Sequence, residues 1–422
     1  MEENLLQYVW QQRLFPVAGL LTTDGHRLEV IHVGSLNHDS GPDFFNAKIK
    51  LDGTLWVGNV EVHVRASDWK RHRHQYDRAY DNVILHVVFE NDARINRSDG
   101  SPIPQVVLPV AQKVQDDYAS LMSSRRWIPC ADRIQSVDPI FVHAWMDSCL
   151  VERLERKTKS ILSLLNKTRN DWENAFYVTF ARAFGFGLNA DVFEALAQSL
   201  PFSYIAKHSS SRFQVEAILF GQSGLMELVE YEDDYLQNLQ SEYAFLRQKF
   251  SLRPLDADRW RMLRLRPQNF PHVRIAQFAA VLCASDRSLF SEVLQHHSVS
   301  EMLDFFENCD VSDYWKSHYL FGTESPVSKK NLGQTAVRHL IINAVVPVLF
   351  AYGKAMNDSN RSDEALKILE NLPPEANHIV RGWKALAVEA ENAAHTQALI
   401  QWKTNYCDRR DCLRCQIGRR LM

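Results

Sequence analysis

Residues 41–64 read GPDFFNAKIKLDGTLWVGNVEVHV, and this stretch decides the fold of the first part of the chain. Apolar and polar residues alternate on both sides of an Asp-Gly pair, which predicts two strands joined by a tight turn. Side chains of a strand repeat on one face every second residue. Glu61 and His63 are therefore expected on one face of the second strand, with the flanking valines on the other.

Further strand signals surround this hairpin, at residues 27–33, 83–89 and 105–108. Apolar residues at helical spacing predict a short amphipathic helix at the start of the chain. A polar segment between the strands, residues 67–80, begins with residues that favour a helix N-terminus. After residue 139 long helical patterns replace the strands. The predicted fold class is α+β, with a sheet and helices first and a mainly α-helical part after them.

The length of the chain, 422 residues, favours more than one domain, because a single hydrophobic core stops growing well below that size. The change of texture predicts an α/β domain over residues 1–110 and a helical domain over residues 141–422. Residues 111–140 are predicted to be a linker that carries Cys130. No repeat period indicates a solenoid.

The composition is that of an ordinary globular protein, with 45% hydrophobic and 23% charged residues and a net charge of -3. The first residues lack the features of an export signal, which predicts a cytoplasmic protein. The longest apolar stretch, residues 340–352, contains Asn343 and Pro347 and is shorter than a membrane span. It is predicted to be a buried core helix, with no membrane as a partner.

Two carboxylates are candidate metal ligands. Asp43 lies just before the first strand of the hairpin, and the turn folds that strand back against the one that carries Glu61. Converging carboxylates form the oxygen-rich site that Mg²⁺ prefers, and a metal there activates water for attack on a phosphodiester. The alternative is that Asp43 is a turn residue and that Glu61 pairs with a nearby base.

This arrangement resembles the PD-(D/E)XK nuclease superfamily. Pro42 and Asp43 match its Pro-Asp pair, and Glu61 matches the acid of the next strand. The resemblance implies a restriction-endonuclease-like mixed sheet flanked by helices and a Mg²⁺-dependent nuclease acting on DNA or RNA. His63 departs from the pattern, because it stands where the superfamily usually has lysine. Histidine is mostly uncharged near neutral pH and can act as a base, position water or bind a metal.

The resemblance also implies further site residues. A glutamate of the opening helix often joins the metal site, and Glu2 or Glu3 would supply it, although both suit the first turn of a helix for its dipole alone. Gln75 and Tyr80 resemble a glutamine and tyrosine pair of some exonuclease branches, with the spacing off by one. Both are expected to contact the substrate.

Histidines cluster after the hairpin. His72 and His74 lie in a basic and aromatic segment that suits a phosphate backbone and stacked bases, so they are predicted to bind substrate. A rival interpretation is a catalytic zinc site formed by His72, His74, Asp77 and His86. His86, in an apolar strand, is equally explained as a hydrogen-bonded core residue.

The seven cysteines, an odd number, do not indicate a disulfide framework. Cys407, Cys412 and Cys415 fall within nine residues, one thiolate short of a tetrahedral zinc or an iron–sulfur site. Cys130 is the predicted fourth ligand, a split layout similar to that of some iron–sulfur nucleases of the same superfamily. Three free thiols are the alternative. The arginines around them suit either phosphates or a solvated tail.

Several stretches are similar to an uncharacterised bacterial family, domain of unknown function 2851. They are residues 266–271 (RPQNFP) with 274–276, residues 340–343 with Pro347, and the terminal cysteines. This resemblance implies no activity. The arginines of residues 261–274 suit either a nucleic-acid groove or a structural loop.

The leading functional hypothesis is therefore a metal-dependent nuclease, with nucleic acid as the partner. One alternative is an inactive nuclease-like protein that binds nucleic acid or acts as a scaffold. The other is a zinc hydrolase that uses the histidine-rich segment.

Overall fold

The computed structural model describes residues 1–16, 18–227, 233–285, 288–296 and 298–422. The chain forms two compact units. Unit 1 comprises residues 1–145 and 402–422, and unit 2 comprises residues 146–401. The terminal segment that carries three of the cysteines thus packs within unit 1.

A six-stranded mixed sheet forms the framework of unit 1. Its strands follow the order β1-β3-β4-β5-β6, and β2 pairs with β3 beside β1. The strands are β1 (Leu28–His32), β2 (Ser35–Leu36), β3 (Phe44–Leu51), β4 (Thr54–Arg65), β5 (Val83–Glu90) and β6 (Gln105–Val107).

The predicted hairpin is β3 and β4. These strands pair antiparallel up to Leu51 opposite Thr54, and the two turn residues Asp52 and Gly53 both have positive φ, as a tight hairpin turn requires. The neighbouring strand β5 runs parallel to β4, with Glu61 opposite His86. A parallel pair needs a crossover connection, and residues 66–82 supply it.

Both faces of the sheet are covered around the centre of β4. Helix α1 (Glu3–Gln11) buries an apolar stripe that includes Leu6 and Trp10 in the same core as Val60 and Val62 of β4. Glu61 and His63, on the opposite face from these valines, are also buried, at 4% and 1% exposure. Polar side chains this deep need partners within the protein.

Helices make up most of the remaining structure, and the predicted α+β class is confirmed: a mixed sheet with helices is followed by a mainly helical region. Helix α3 forms inside the segment predicted as a linker. The helices after α1 are α2 (Asp68–Arg71), α3 (Gln112–Ser123), α4 (Pro139–Lys167), α5 (Trp172–Phe184), α6 (Ala190–Ser199), α7 (Phe202–Ala206), α8 (Arg212–Ser223), α9 (Asp234–Phe250), α10 (Pro271–Ala284), α11 (Leu289–Gln295), α12 (Val299–Glu307), α13 (Asp313–Ser317), α14 (Gln334–Leu340), α15 (Val346–Met356), α16 (Ser359–Asn371), α17 (His378–Lys384), α18 (Ala393–Trp402) and α19 (Gln416–Arg420). A two-stranded sheet, β7 (His318–Leu320) and β8 (Thr323–Glu324), lies in unit 2.

A π-helical turn, Ile341–Val345, joins α14 to α15 into one helix that spans Gln334–Met356. This helix is longer than its apolar stretch and reaches the length and composition of a membrane span. Within the described residues, 72% of its apolar window is buried inside the protein. That burial is what a core helix shows.

We expect Gly58→Ala to destabilise unit 1 by about 1–3 kcal/mol, because a methyl group there overpacks the junction of β4 and β5. An added Cβ would stand 2.4 Å from Ile84 Cγ2 and 2.6 Å from the backbone oxygen of Asn82. Urea unfolding of the variant measures the change. Lys48→Ala, on the exposed face of β3, is the control and should change stability by no more than about 0.5 kcal/mol.

Candidate active site

Two reciprocal backbone hydrogen bonds hold Asp43 and Glu61 together. The backbone N–H of Asp43 donates to Glu61 Oε2 at 3.0 Å, and the backbone N–H of Val62 donates to Asp43 Oδ2 at 3.0 Å. The antiparallel pairing of β3 and β4 creates this geometry, since it sets Phe44 opposite Val60. The two predicted acids therefore do converge.

Burial shifts the pKa of both acids upward. Asp43 reaches a pKa of about 7, first because it is desolvated and second because Glu61 repels its negative charge. Glu61 reaches about 8, again chiefly through desolvation, with a further rise caused by Glu3. Near neutral pH the pair thus retains protons that a bound cation would displace.

Helix α1 contributes two polar side chains to this site. Burial raises the pKa of Glu3, and the charges of Asp43 and Asp68 raise it further. The side chain of Gln7 hydrogen-bonds to Asp43. Of the two glutamates considered from the sequence, Glu3 faces the acids, whereas Glu2 accepts a 2.7 Å hydrogen bond from the hydroxyl of Tyr118.

His63 lies behind the acids and links two other histidines. Its Nδ1 is 2.8 Å from Nε2 of His86, and its Nε2 is 3.1 Å from Nδ1 of His72 and 3.5 Å from Glu61 Oε1. Desolvation, followed by the charge of neighbouring histidines, lowers the pKa of both His63 and His86. Both rings are therefore neutral at physiological pH.

The crossover segment brings its histidines over the same carboxylate. His74 Nε2 is 3.3 Å from Glu61 Oε1, and the ring of His74 stacks on Tyr80 at a centroid distance of 3.8 Å. One ring nitrogen from each of His63, His72 and His74 lies within 4.8 Å of the other two, the single group of three possible metal-ligand atoms this close among the described residues. The two ligand sets considered separately from the sequence therefore meet in one site.

Other predicted residues have different environments. Tyr80 is buried as the stacking partner of His74, while Gln75 has a buried side-chain oxygen with no hydrogen-bond partner. Asp77 accepts a hydrogen bond from the backbone of Ala79 at 2.9 Å, and His86 pairs with His63. Neither Asp77 nor His86 belongs to the group of three histidines.

The four predicted cysteine ligands are all buried in unit 1 and form no disulfide. Burial raises the pKa of Cys130, Cys407 and Cys412, and the charges of the other cysteines raise each of them further. They are near one another but not tightly grouped. No three of the sulfurs lie within 4.8 Å of one another in the described part of the chain.

Together the fold and the site define an α+β protein with a buried acid and histidine site on a mixed sheet. The chain belongs to the protein family of unknown function DUF2851, whose model matches residues 3–378. The match includes the acids, the histidines and the arginine-rich stretch of residues 261–274, whereas the three terminal cysteines lie beyond it. No curated protein and no solved structure matches the chain significantly.

Sequence reasoning missed Gln7 and the aromatic wall formed by Trp69. Gln7 follows Glu3 by four residues, so the two share one face of α1, and this spacing was a usable signal. Trp69 is fully buried, with its ring centroid 5.3 Å from that of His74 and 5.5 Å from that of His86. No local pattern indicates that contact.

We expect Glu61→Gln to raise the free energy of unfolding by about 1–3 kcal/mol at pH 8.5 in the presence of EDTA. The pKa of Glu61 rises from 4.5 to about 8 on folding. Below pH 4.5 the carboxyl group is protonated in both states and costs nothing. As the pH rises from 4.5 to 8, only the unfolded state ionises freely, so stability is progressively lost.

The neutral amide of the variant avoids this loss, so the difference between the two proteins should shrink at pH 5.5. Denaturant unfolding at the two pH values measures it. Glu29→Gln is the matched control, because Glu29 is 55% exposed and pairs only weakly with Lys50 at 3.8 Å. A variant that is less stable than wild type at pH 8.5 would show that the ionised carboxylate stabilises the fold.

Proposed function

We propose that unit 1 is a metal-dependent phosphodiester hydrolase that acts on nucleic acid. The observation that carries this proposal is the convergence of the half-buried Asp43, the buried Glu61 and three histidines next to an exposed basic segment. Buried, protonated acids beside neutral imidazoles are costly for folding alone. Such a set is typical of a site that binds a cation and performs acid–base chemistry.

The side chains present fit a divalent metal. Asp43 and Glu61 offer carboxylate oxygens, which Mg²⁺ prefers, and Glu3 and Gln7 add further oxygens. The imidazoles of the neighbouring group extend the set to Mn²⁺ and Zn²⁺. We therefore propose Asp43 and Glu61 as the metal ligands, with Mn²⁺ or Mg²⁺ as the working ion.

The bound metal would activate water and neutralise the charge that grows on the phosphate. The side chains of the chain itself have separate tasks. Asp43 and Glu61 lose their protons when the cation binds. His74, only partly buried and held by Tyr80, lies where it can donate to a phosphate oxygen.

His63 is proposed to position its neighbours. It is 1% exposed, and its nitrogens face His86, His72 and Glu61, so it orients groups nearer the surface. His72, which is exposed, is then the better placed group to accept a proton from water.

The surrounding surface favours nucleic acid as the substrate. Lys70, Arg71, Arg73 and Arg78 are exposed along the crossover segment next to the site. Tyr76 is 79% exposed and offers a ring for base stacking. Cations that bind a phosphate backbone and an aromatic ring that stacks on bases are the usual components of a nucleic-acid surface.

The likeness to the PD-(D/E)XK superfamily remains part of this proposal. It is supported by the helix glutamate Glu3, the Pro-Asp pair before β3 and the acid on β4 beside a parallel strand. His63 in place of the usual lysine is the departure. An inactive nucleic-acid-binding protein or scaffold is the alternative that this departure favours.

A zinc hydrolase is a second candidate function. The observation that favours it is the group formed by His63, His72 and His74, because three imidazoles are a common ligand set of catalytic zinc. Since Glu61 lies beside the same histidines, the two candidates share one site. Zn²⁺-dependent cleavage of a simple carboxylic ester, without cleavage of nucleic acid, would select this function.

We expect Asp43→Asn and Glu61→Gln each to lower metal-stimulated cleavage by about 100-fold or more, because each removes a charged ligand. End-labelled single-stranded DNA, duplex DNA and RNA are incubated with Mg²⁺, Mn²⁺ or Zn²⁺, and the products are separated on denaturing gels. Mn²⁺ should give the highest rate.

Glu29→Gln serves as the control and should cleave like wild type. His63→Lys should reduce cleavage, because a lysine ammonium only donates hydrogen bonds, whereas a neutral His63 both donates and accepts between His86 and His72, and because the ammonium would be buried. Wild-type rates in both acid variants would refute the assignment. Binding of the labelled strands without cleavage under any metal, together with activity gained in His63→Lys, would identify a decayed enzyme.

We also propose that Cys130, Cys407, Cys412 and Cys415 hold a structural zinc ion or an iron–sulfur cluster. Contacts join the segments that carry them: Arg410 donates to the backbone oxygen of Ser124 at 2.7 Å, and Lys403 lies 4.9 Å from the ring of Trp127. Ligation requires the sulfurs to move closer, since zinc-bound thiolates stand about 3.8 Å apart.

The surroundings of the sulfurs support a metal thiolate centre. Burial raises the pKa of Cys415, and hydrogen bonds from the backbone of Gly418 and Ile417 partly offset that rise. Burial likewise raises the pKa of Cys130 and of Cys407, and the charges of Arg133 and Lys403, respectively, oppose it. Four thiolates on one divalent ion carry two net negative charges, which such donors and cations stabilise.

We expect the triple variant Cys407→Ser, Cys412→Ser, Cys415→Ser to lose about one equivalent of zinc, or the iron and brown colour of a cluster. Elemental analysis and absorption spectra of anaerobically purified protein measure the loss. Cys283→Ser, a cysteine of unit 2, is the control and should retain the metal. Wild-type protein with neither metal above trace level would contradict the proposal.

A further inference from the structure

A cavity of about 500 Å³ lies within unit 2 and shares no lining residue with the acid and histidine site of unit 1. It is lined by the start of the helix at Gln334 and by residues of the arginine-rich motif and of α10. The described lining includes the cationic residues Arg274, Lys329 and Lys330 and several amides, and it contains no aspartate or glutamate. Its charge is therefore positive.

Arg274 is held rigidly at this cavity. Its Nη1 donates to Gln277 Oε1 at 2.8 Å, its Nη2 donates to Asn269 Oδ1 at 2.6 Å, and its Cζ lies 3.9 Å from the centre of the Phe186 ring. Both acceptors are neutral amides. A guanidinium has five N–H donors, so three remain without a protein acceptor, and one of them, at Nε, is buried.

The positive charge of Arg274 also lacks a counter-ion. Burial lowers its pKa to about 10, and no carboxylate offsets that shift. Arg153 in the same unit is similarly desolvated, but Glu375 acts on it. Asp310, an exposed acid, acts on Lys329 and accepts a hydrogen bond from Asn331 at 2.5 Å. It does not act on Arg274.

A desolvated guanidinium without an anion is unfavourable unless something else supplies the charge. The fork of Arg274 is preorganised, with free donors, and a planar guanidinium with spare N–H groups matches phosphate oxygens. Gln334 and Thr335, in the first turn of the helix, lie on the same lining. The N-terminus of a long helix adds a favourable potential for an anion.

We propose that this cavity binds a phosphate monoester, with Arg274 as the principal ligand and with Lys329 and the start of the helix at Gln334 completing the site. The Nζ of Lys330 already donates to the backbone oxygen of His318 and to Ser325 Oγ, each at 2.9 Å, so Arg274 and Lys329 are the cations open to a ligand. A monoester carries close to two negative charges at neutral pH and so matches these two side chains, whereas a backbone phosphodiester carries one. The volume lies in the range of about 300–1,000 Å³ that small-molecule sites occupy. The site is independent of the function proposed for unit 1.

Isothermal titration of the full chain with adenosine 5′-monophosphate, inorganic phosphate and adenosine tests this proposal. We expect the monophosphate and phosphate to bind and adenosine to bind at least tenfold more weakly. Arg274→Met should weaken binding of the monophosphate by about tenfold or more, and Lys329→Met by a few-fold. Arg361→Met is the matched control, because Arg361 already pairs with Glu364 at 2.7 Å, and its binding should equal that of wild type.

Thermal unfolding without ligand shows whether Arg274→Met is correctly folded. Its midpoint temperature should be at least that of wild type, because the substitution removes an uncompensated charge. Should Arg274→Met unfold, the affinity of Lys329→Met for the monophosphate tests the proposal instead, because Lys329 is exposed.

A 5′-phosphorylated oligonucleotide compared with its unphosphorylated form distinguishes a nucleic-acid end from a free metabolite as the source of the monoester. Equal affinity of wild type and both cavity variants for the monophosphate, or no binding to wild type, would overturn the proposal. Cleavage of the unphosphorylated oligonucleotide should be unchanged in Arg274→Met, so the two hypotheses fail separately.

Discussion

The structure of unit 1 depends on the mutual hold of Asp43 and Glu61 at the junction of β3 and β4. Each carboxyl group accepts a hydrogen bond from the backbone beside the other, so two groups that repel when ionised are fixed by the pairing of the strands. Their raised pKa values follow from that enforced burial. Two acids held together in this way are the basis of the proposed cation binding and proton transfer.

The parallel pairing of β4 with β5 gives this site its other half. The connection must cross the sheet, and it brings His74 to the carboxylate of Glu61 and His72 to the ring of His63. The same connection exposes a row of cations next to the histidines. One topological requirement thus places candidate metal ligands, candidate proton acceptors and a basic surface together.

Unit 2 also holds a desolvated ionisable side chain, but there the side chain is a base, Arg274, and not an acid. Where unit 1 holds two desolvated acids with raised pKa values beside neutral imidazoles, unit 2 holds the positive charge of Arg274 beside neutral amides. In both places burial disfavours the charged form of the side chain, and the described residues around it do not fully offset that cost. An uncompensated charge at a cavity or cleft is a more specific sign of a ligand than the size of the opening, because burial of charge is costly everywhere else.

By itself the sequence determined the hairpin, the shared face of Glu61 and His63, the helix before them and the change to a helical region, since alternation and helical spacing are local properties. It could not show whether Glu2 or Glu3 faces the acids, nor that the acids and the histidines of the crossover segment lie in one site. The sequence pattern also placed the terminal cysteines in the predicted helical domain, residues 141–422, whereas in the structure they lie within unit 1. Those outcomes depend on contacts between residues far apart in the chain, and only the tertiary structure sets such distances, because strand register and crossover path have no counterpart in local pattern.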